Sequence, residues 1–158
     1  MEALLAPMRR RFLIADDYPD AAESLALLLS CSGHEAIGLC TACRLIELAR
    51  DFRPDAIVLE PALREELGGL ELARTLRTEP HLSSVLLIAL SGRGAARDRD
   101  AAREAGFDHY LLKPAAEGEL LALIEQPAAA RALPAGRIRA MYPFKGGLAH
   151  DDSQSAQP

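Results

Sequence analysis

The segment Arg11-Phe12-Leu13-Ile14-Ala15-Asp16-Asp17-Tyr18-Pro19-Asp20 joins a buried run to an acidic pair and then to a helix start. Phe12 to Ala15 is apolar without alternation. That pattern predicts a strand covered on both faces, as in a parallel sheet. Pro19-Asp20 opens a helix, with Leu25, Leu28 and Leu29 expected on its inner face and Ser32-Gly33 at its end.

The same strand–helix alternation continues down the chain. Glu35 to Leu39 reads as a weak second strand, and Arg44 to Phe52 as a helix stopped before Pro54. Ala56 to Leu59 is a third strand ending at Glu60, followed by a helix containing Leu70 to Leu76. Val85 to Leu90 is a fourth strand ending at Ser91-Gly92. Ala95 to Ala105 is a polar helix capped by Gly106. Phe107 to Leu112 is a fifth strand ending at Lys113-Pro114, and Glu117 to Ile124 is the last helix. Five such units with short loops predict an α/β fold, a doubly wound five-stranded parallel sheet with helices on both faces. Sites in such sheets lie at the carboxyl ends of the strands. Here those ends carry Asp16, Asp17, Glu60, Ser91 and Lys113.

The whole-chain balance restricts function. The chain has 158 residues, 49% of them hydrophobic, which suits one domain with tails. The expected division is an N-terminal extension over 1–10, a domain over 11–125 and a flexible C-terminal tail over 126–158. The tail is rich in Ala, Pro, Gly and Arg, with one apolar patch from Ile138 to Phe144 that could dock on the body or a partner. A net charge of -5 and the absence of Trp argue against nucleic-acid or anionic-membrane partners. The apolar runs are too short to span a bilayer. Three unevenly spaced cysteines, Cys31, Cys40 and Cys43, fit a reducing cytoplasm better than a disulfide framework. Cys40 and Cys43 have redox or zinc spacing but no second pair, so two small loop residues are the simpler reading.

Two aspartates at one strand end and a third carboxylate at a neighbouring one make a hard oxygen site of the kind Mg²⁺ prefers. A lysine opposite them neutralises charge or holds a phosphoryl oxygen, and a hydroxyl at the fourth strand end can bond the same oxygen.

With these features together, the chain resembles the response-regulator receiver domains of two-component signalling over about Arg11 to Ile124. The resemblance rests on Asp16-Asp17, on Ser91 within Ala-Leu-Ser-Gly, and on Lys113 before Pro114. It also rests on Tyr110 and on the stretches Asp20 to Leu25 and Arg103 to Asp108. It implies a flavodoxin-like receiver fold without enzymatic activity. It implies Mg²⁺ held by Asp16, Asp17, Glu60 and the Ala62 carbonyl. It makes Ser91 and Lys113 phosphate-site residues and Tyr110 a rotameric switch. The implied partners are proteins, such as a histidine kinase or a downstream signalling protein, with a homodimer left open. The implied docking face includes Arg97, Arg99, Arg103, Tyr110 and Glu117.

One position departs from the pattern. Where the family places its phosphoaccepting aspartate, this chain has Glu60. Its carboxylate reaches about one C–C bond further, roughly 1.5 Å. Phosphoryl transfer depends on positioning, so the displacement is costly. The following loop is also altered: Arg64 stands where the family commonly has proline, and Pro61 directly precedes Ala62, whose carbonyl the resemblance assigns to the metal. The expectation is a pseudo-receiver acting through protein contacts, without phosphorylation at residue 60. A conventional phosphorylatable receiver is the alternative within this class. A small Mg²⁺-dependent phosphatase is the alternative from another class, disfavoured because Asp16 and Asp17 are adjacent rather than two apart.

Overall fold

The computed structural model describes residues 8–126; residues 1–7 of the expected N-terminal extension and all of the expected tail after Gln126, with the apolar patch from Ile138 to Phe144, lie outside them. Five parallel strands, β1 (Arg11–Ala15), β2 (Glu35–Leu39), β3 (Ala56–Leu59), β4 (Leu86–Ser91) and β5 (His109–Leu112), form one sheet in the order β2-β1-β3-β4-β5. They alternate with α1 (Pro19–Cys31), α2 (Leu45–Phe52), α3 (Gly69–Thr78), α4 (Ala96–Ala105) and α5 (Glu117–Ile124). This is the flavodoxin-like α/β arrangement.

The continuous apolarity of the central strands has its expected cause. Leu13, Ala15, Ile57, Leu59, Leu87 and Ala89 face one core, against Leu45 and Ala49 of α2, Leu72 and Leu76 of α3, and Ala102 and Ala105 of α4. The alternate residues Phe12, Ile14, Ala56, Val58, Leu86 and Ile88 face a second core, against Ala22, Ala26 and Leu29 of α1 and Leu120, Leu123 and Ile124 of α5. Each fully buried leucine contributes about 2 kcal/mol, so loss of either helix layer would be decisive. β2 is an edge strand and only half-buried, which explains its weak signal in the sequence.

Some details differ from expectation. Leu28 is exposed; Ala22, Ala26 and Leu29 form the inner face of α1. The contact face of a helix is set by tertiary crossing, and small alanines let α1 approach the sheet. Gly38 of β2 shows how closely: a Cβ there would lie 2.8 Å from the backbone of Ala22. α3 contains the expected Leu70 to Leu76 and runs from Gly69 to Thr78.

β5 begins at His109, not Phe107. Phe107 is buried ahead of the strand, and the Asp108 carboxylate accepts the Leu87 N–H at 2.8 Å. Arg77 closes this corner. Its guanidinium donates to the Asp108 carboxylate and to the carbonyls of Gly106, Ser83 and Val85, at 2.7 to 2.9 Å. One planar group thus satisfies three loop carbonyls that no ladder could reach.

Candidate functional site

The site is built on the last rungs of the ladder. Ala15 of β1 is in register with Leu59 of β3, so Asp16 and Glu60 follow side by side. Glu60 N–H donates to the Ala15 carbonyl at 3.1 Å, and Asp16 N–H to the Leu39 carbonyl at 3.2 Å. On the other side of the sheet Ser91 pairs with Leu112, and Lys113 N–H donates to the Ser91 carbonyl at 2.9 Å. These bonds hold the site residues to the rigid sheet. β1 and β3 flank the point where the strand order reverses, the usual crevice of an open α/β sheet.

At this point three expected residues meet. Lys113 Nζ lies 2.5 Å from Asp16 Oδ2 and 3.1 Å from Glu60 Oε2. Asp16 and Glu60 are buried, and their other oxygens accept main-chain N–H groups. Tyr18 N–H donates to Asp16 Oδ1 at 3.0 Å, and Ala62 N–H donates to Glu60 Oε1 at 2.9 Å. The ammonium also lies 5.9 Å from the centre of the exposed Tyr18 ring. Burial works to lower the Lys113 pKa. The hydrogen bonds and charges of Asp16 and Glu60 outweigh it, and the net shift is upward. The Lys113–Pro114 peptide is cis.

Asp17 is not part of this contact. Both of its oxygens accept the Arg64 N–H at 3.1 Å, and Arg64 Nε lies 3.5 Å from Oδ2. The neighbouring Glu65 accepts the Ala42 N–H at 2.8 Å, which ties the β3–α3 loop to the start of α2. Arg64 and Glu65 were not foreseen as site residues, since an exposed loop charge carries no periodicity. Gly69, the first residue of α3, is a further omission. A Cβ there would lie 2.2 Å from the Glu60 carbonyl oxygen, so the helix starts directly against the site strand.

Ser91 is buried, and its Oγ accepts the Arg93 N–H at 3.2 Å, closing a turn. The Tyr110 hydroxyl donates to the Arg93 carbonyl at 2.6 Å. Burial, foremost, raises the Tyr110 pKa. A hydrogen bond with Ser91 opposes this, and the charges of Asp98 and Glu60 add to the rise. Tyr110 packs against the core shared by α2, α3 and α4, with the Arg99 guanidinium 5.9 Å from its ring centre. Ser91, Arg93 and Tyr110 thus form one bonded corner beside the acidic cluster. Cys31, Cys40 and Cys43 are exposed free thiols, and His34 Nδ1 accepts the Arg10 N–H at 3.3 Å.

Receiver domains generally bind Mg²⁺ at the phosphorylation site. Of the positions expected to hold it here, the side chains of Asp16, Asp17 and Glu60 are not gathered as a ligand set. Asp16 and Glu60 share the Lys113 ammonium, and Asp17 is turned to Arg64. Among the described residues, no three His, Cys, Asp or Glu side chains are grouped to hold a metal ion. As arranged, the donors do not fit an octahedral ion.

Comparison with known proteins agrees with this fold. Residues 12–125 match the response regulator receiver domain family. The response regulator MprA of Mycobacterium sp. (strain KMS) is 36% identical over 112 residues, covering 71% of this chain and 47% of that protein. The DNA-binding response regulator MtrA of Mycolicibacterium smegmatis is 30% identical over 117 residues, covering 74% and 50%. The chain thus spans about half the length of these curated relatives. A response regulator from Desulfuromonas acetoxidans superposes with a TM-score of 0.64 at 27% identity, over 73% of this chain and 93% of that one. The Vibrio cholerae chemotaxis protein CheY4 shares the fold, with a TM-score of 0.67 at 17% identity, over 74% and 97%. The receiver family is a signalling family rather than an enzymatic one, and no helix among the described residues is long and apolar enough to cross a membrane. On its strand-end cluster, its sheet order and a match that covers most of its length, the chain belongs to the response regulator receiver domain family of two-component signalling.

Proposed function

We propose that this receiver is a pseudo-receiver, whose output through protein contacts does not depend on phosphorylation of residue 60. One observation carries the reading: Glu60 already has both carboxylate oxygens engaged, Oε2 with Lys113 and Oε1 with the Ala62 N–H. To accept a phosphoryl group, the carboxylate would have to leave one of these partners. Its longer side chain would also carry the new group about one C–C bond, roughly 1.5 Å, from the place an aspartyl phosphate would take. The fixed charge of Glu60 takes part of the role that a phosphoryl group's greater charge would have. The Tyr110 hydroxyl donates to the Arg93 carbonyl at the neighbouring strand end.

The partner is a protein, a histidine kinase or a downstream signalling protein. The face offered to it includes Arg97, Arg103 and Tyr110, on α4 and β5, and Glu117 at the start of α5. Nucleic acid and membrane are not proposed as partners, and the proposed location is the cytoplasm.

Incubation with acetyl phosphate and Mg²⁺ followed by intact mass tests the reading. The expected result is an unmodified chain. A stoichiometric, acid-stable and base-labile adduct that maps to Glu60 would overturn it.

A further inference from the structure

We infer that Arg64 is a resident cation of the carboxylate cluster: it holds Asp17 out of any divalent-ion ligand set and makes the site independent of Mg²⁺. This goes beyond the phosphorylation reading, because it concerns the metal alone. Asp17 and Arg64 are 47 positions apart in sequence, so the contact exists only because the β3–α3 loop folds back over the end of β1.

The loop is fixed from both sides of Arg64. Leu63 is buried and its N–H donates to the Glu60 carbonyl at 3.3 Å, and Glu65 is bonded to the Ala42 N–H at 2.8 Å. The Arg64 N–H is therefore aimed at Asp17 by the fold and straddles both carboxylate oxygens at 3.1 Å. The guanidinium adds a longer contact, 3.5 Å, from a side chain that is 76% exposed. The main-chain bond is thus the positioning element, and the solvated guanidinium supplies charge at reduced strength.

The charge balance points the same way. Asp16, Asp17 and Glu60 bring three negative charges, and Lys113 and Arg64 bring two positive ones. Lys113 belongs to the expected site beside the ion, so Arg64 is the added positive charge, and it leaves the cluster with one net negative charge to attract an ion. An entering Mg²⁺ would have to draw Asp17 off Arg64 and divide Asp16 and Glu60 with Lys113. Mg²⁺ demands near-ideal octahedral geometry and gives up its waters reluctantly, so it is poorly suited to a site that must first be rearranged.

Titration calorimetry and thermal shift with Mg²⁺ alone, on the full chain and without a phosphodonor, test this. The variants are R64A, which removes the guanidinium, R64P, which also removes the N–H, and the pair E60D and E60D/R64A. The expected result is no saturable binding by the wild type below about 10 mM, about threefold tighter binding in R64A, which loses only the solvated charge, and at least about tenfold in R64P, which also frees Asp17 from the N–H. R64A and E60D/R64A decide the matter if proline disturbs the loop. Sub-millimolar saturable binding by the wild type would overturn the inference. So would equal affinity in every Arg64 variant and its Arg64-containing parent. Failure here leaves the acetyl phosphate result untouched, since that experiment follows a covalent mass and this one an ion.

Discussion

Replacing Lys113 with methionine is expected to lower stability by about 2–3 kcal/mol at neutral pH, read from urea denaturation. Methionine keeps the apolar stem and removes the ammonium, so packing changes little. Two buried carboxylates then lose their shared cation. Breaking a buried ion pair by removing one partner costs about 3–5 kcal/mol. The lower figure applies here for two reasons. The Lys113 side chain is 27% exposed, so water screens part of the interaction. Asp16 and Glu60 also each keep a main-chain N–H. Adding Glu60→Gln to the Lys113→Met chain should recover part of the loss, because it removes one orphaned charge. A double variant no more stable than Lys113→Met would show that the pair is not the source of the cost.

The same lysine sets an alkaline limit. Its folded pKa is raised, so its contribution is complete below the ordinary lysine value near 10.5 and is lost as pH climbs through the folded value. Tyr110, also raised, acts in a neighbouring window from near 10 in both proteins. The difference between wild type and Lys113→Met isolates the lysine: it should narrow above about pH 10.5. Parallel pH profiles across that range would refute the assignment.

Gly69→Ala is expected to cost about 3 kcal/mol, despite placing a better helix former in α3. The helix-propensity gain is at most about 1 kcal/mol. Against it, the new Cβ would lie 2.2 Å from the Glu60 carbonyl oxygen and 2.9 Å from the Pro61 backbone. These are main-chain atoms and cannot swing aside, so either the start of α3 or the Glu60 peptide must move. Movement of Glu60 would carry its carboxylate off Lys113, which a chemical-shift change at the Lys113 ammonium would report. Gly68→Ala is the control. Its Cβ meets only the Leu63 carbonyl at 3.8 Å, its φ of -65° suits any residue, and its cost should stay below about 1 kcal/mol. Equal costs at the two glycines would show that close approach to Glu60 is not what constrains position 69.

The division between what was legible in the chain and what was not follows from the range of the forces involved. Strand ends are local. A continuous apolar run of strand length that stops at a polar residue puts that residue at the sheet edge whatever surrounds it, so Asp16, Glu60, Ser91 and Lys113 could be placed at the strand ends before any contact was known. The family resemblance added expected roles and showed that residue 60 is the unusual member. The details that shifted, the inner face of α1 at Leu28 and the start of β5 after Phe107, are those where tertiary packing chose among neighbouring apolar residues.

Loop partners are not local. The Asp17–Arg64 contact spans 47 positions and the Ala42–Glu65 contact 23, and nothing in either segment names the other. The adjacency of Asp16 and Asp17 suggested one shared site. The tertiary structure separated them, because the loop after Glu60 brought a main-chain N–H and a guanidinium to one and Lys113 reached only the other. The sequence alone therefore determined which residues line the end of the sheet. Only the folded chain decided which charges neutralise one another there, since that depends on how a loop without periodicity closes over the strands.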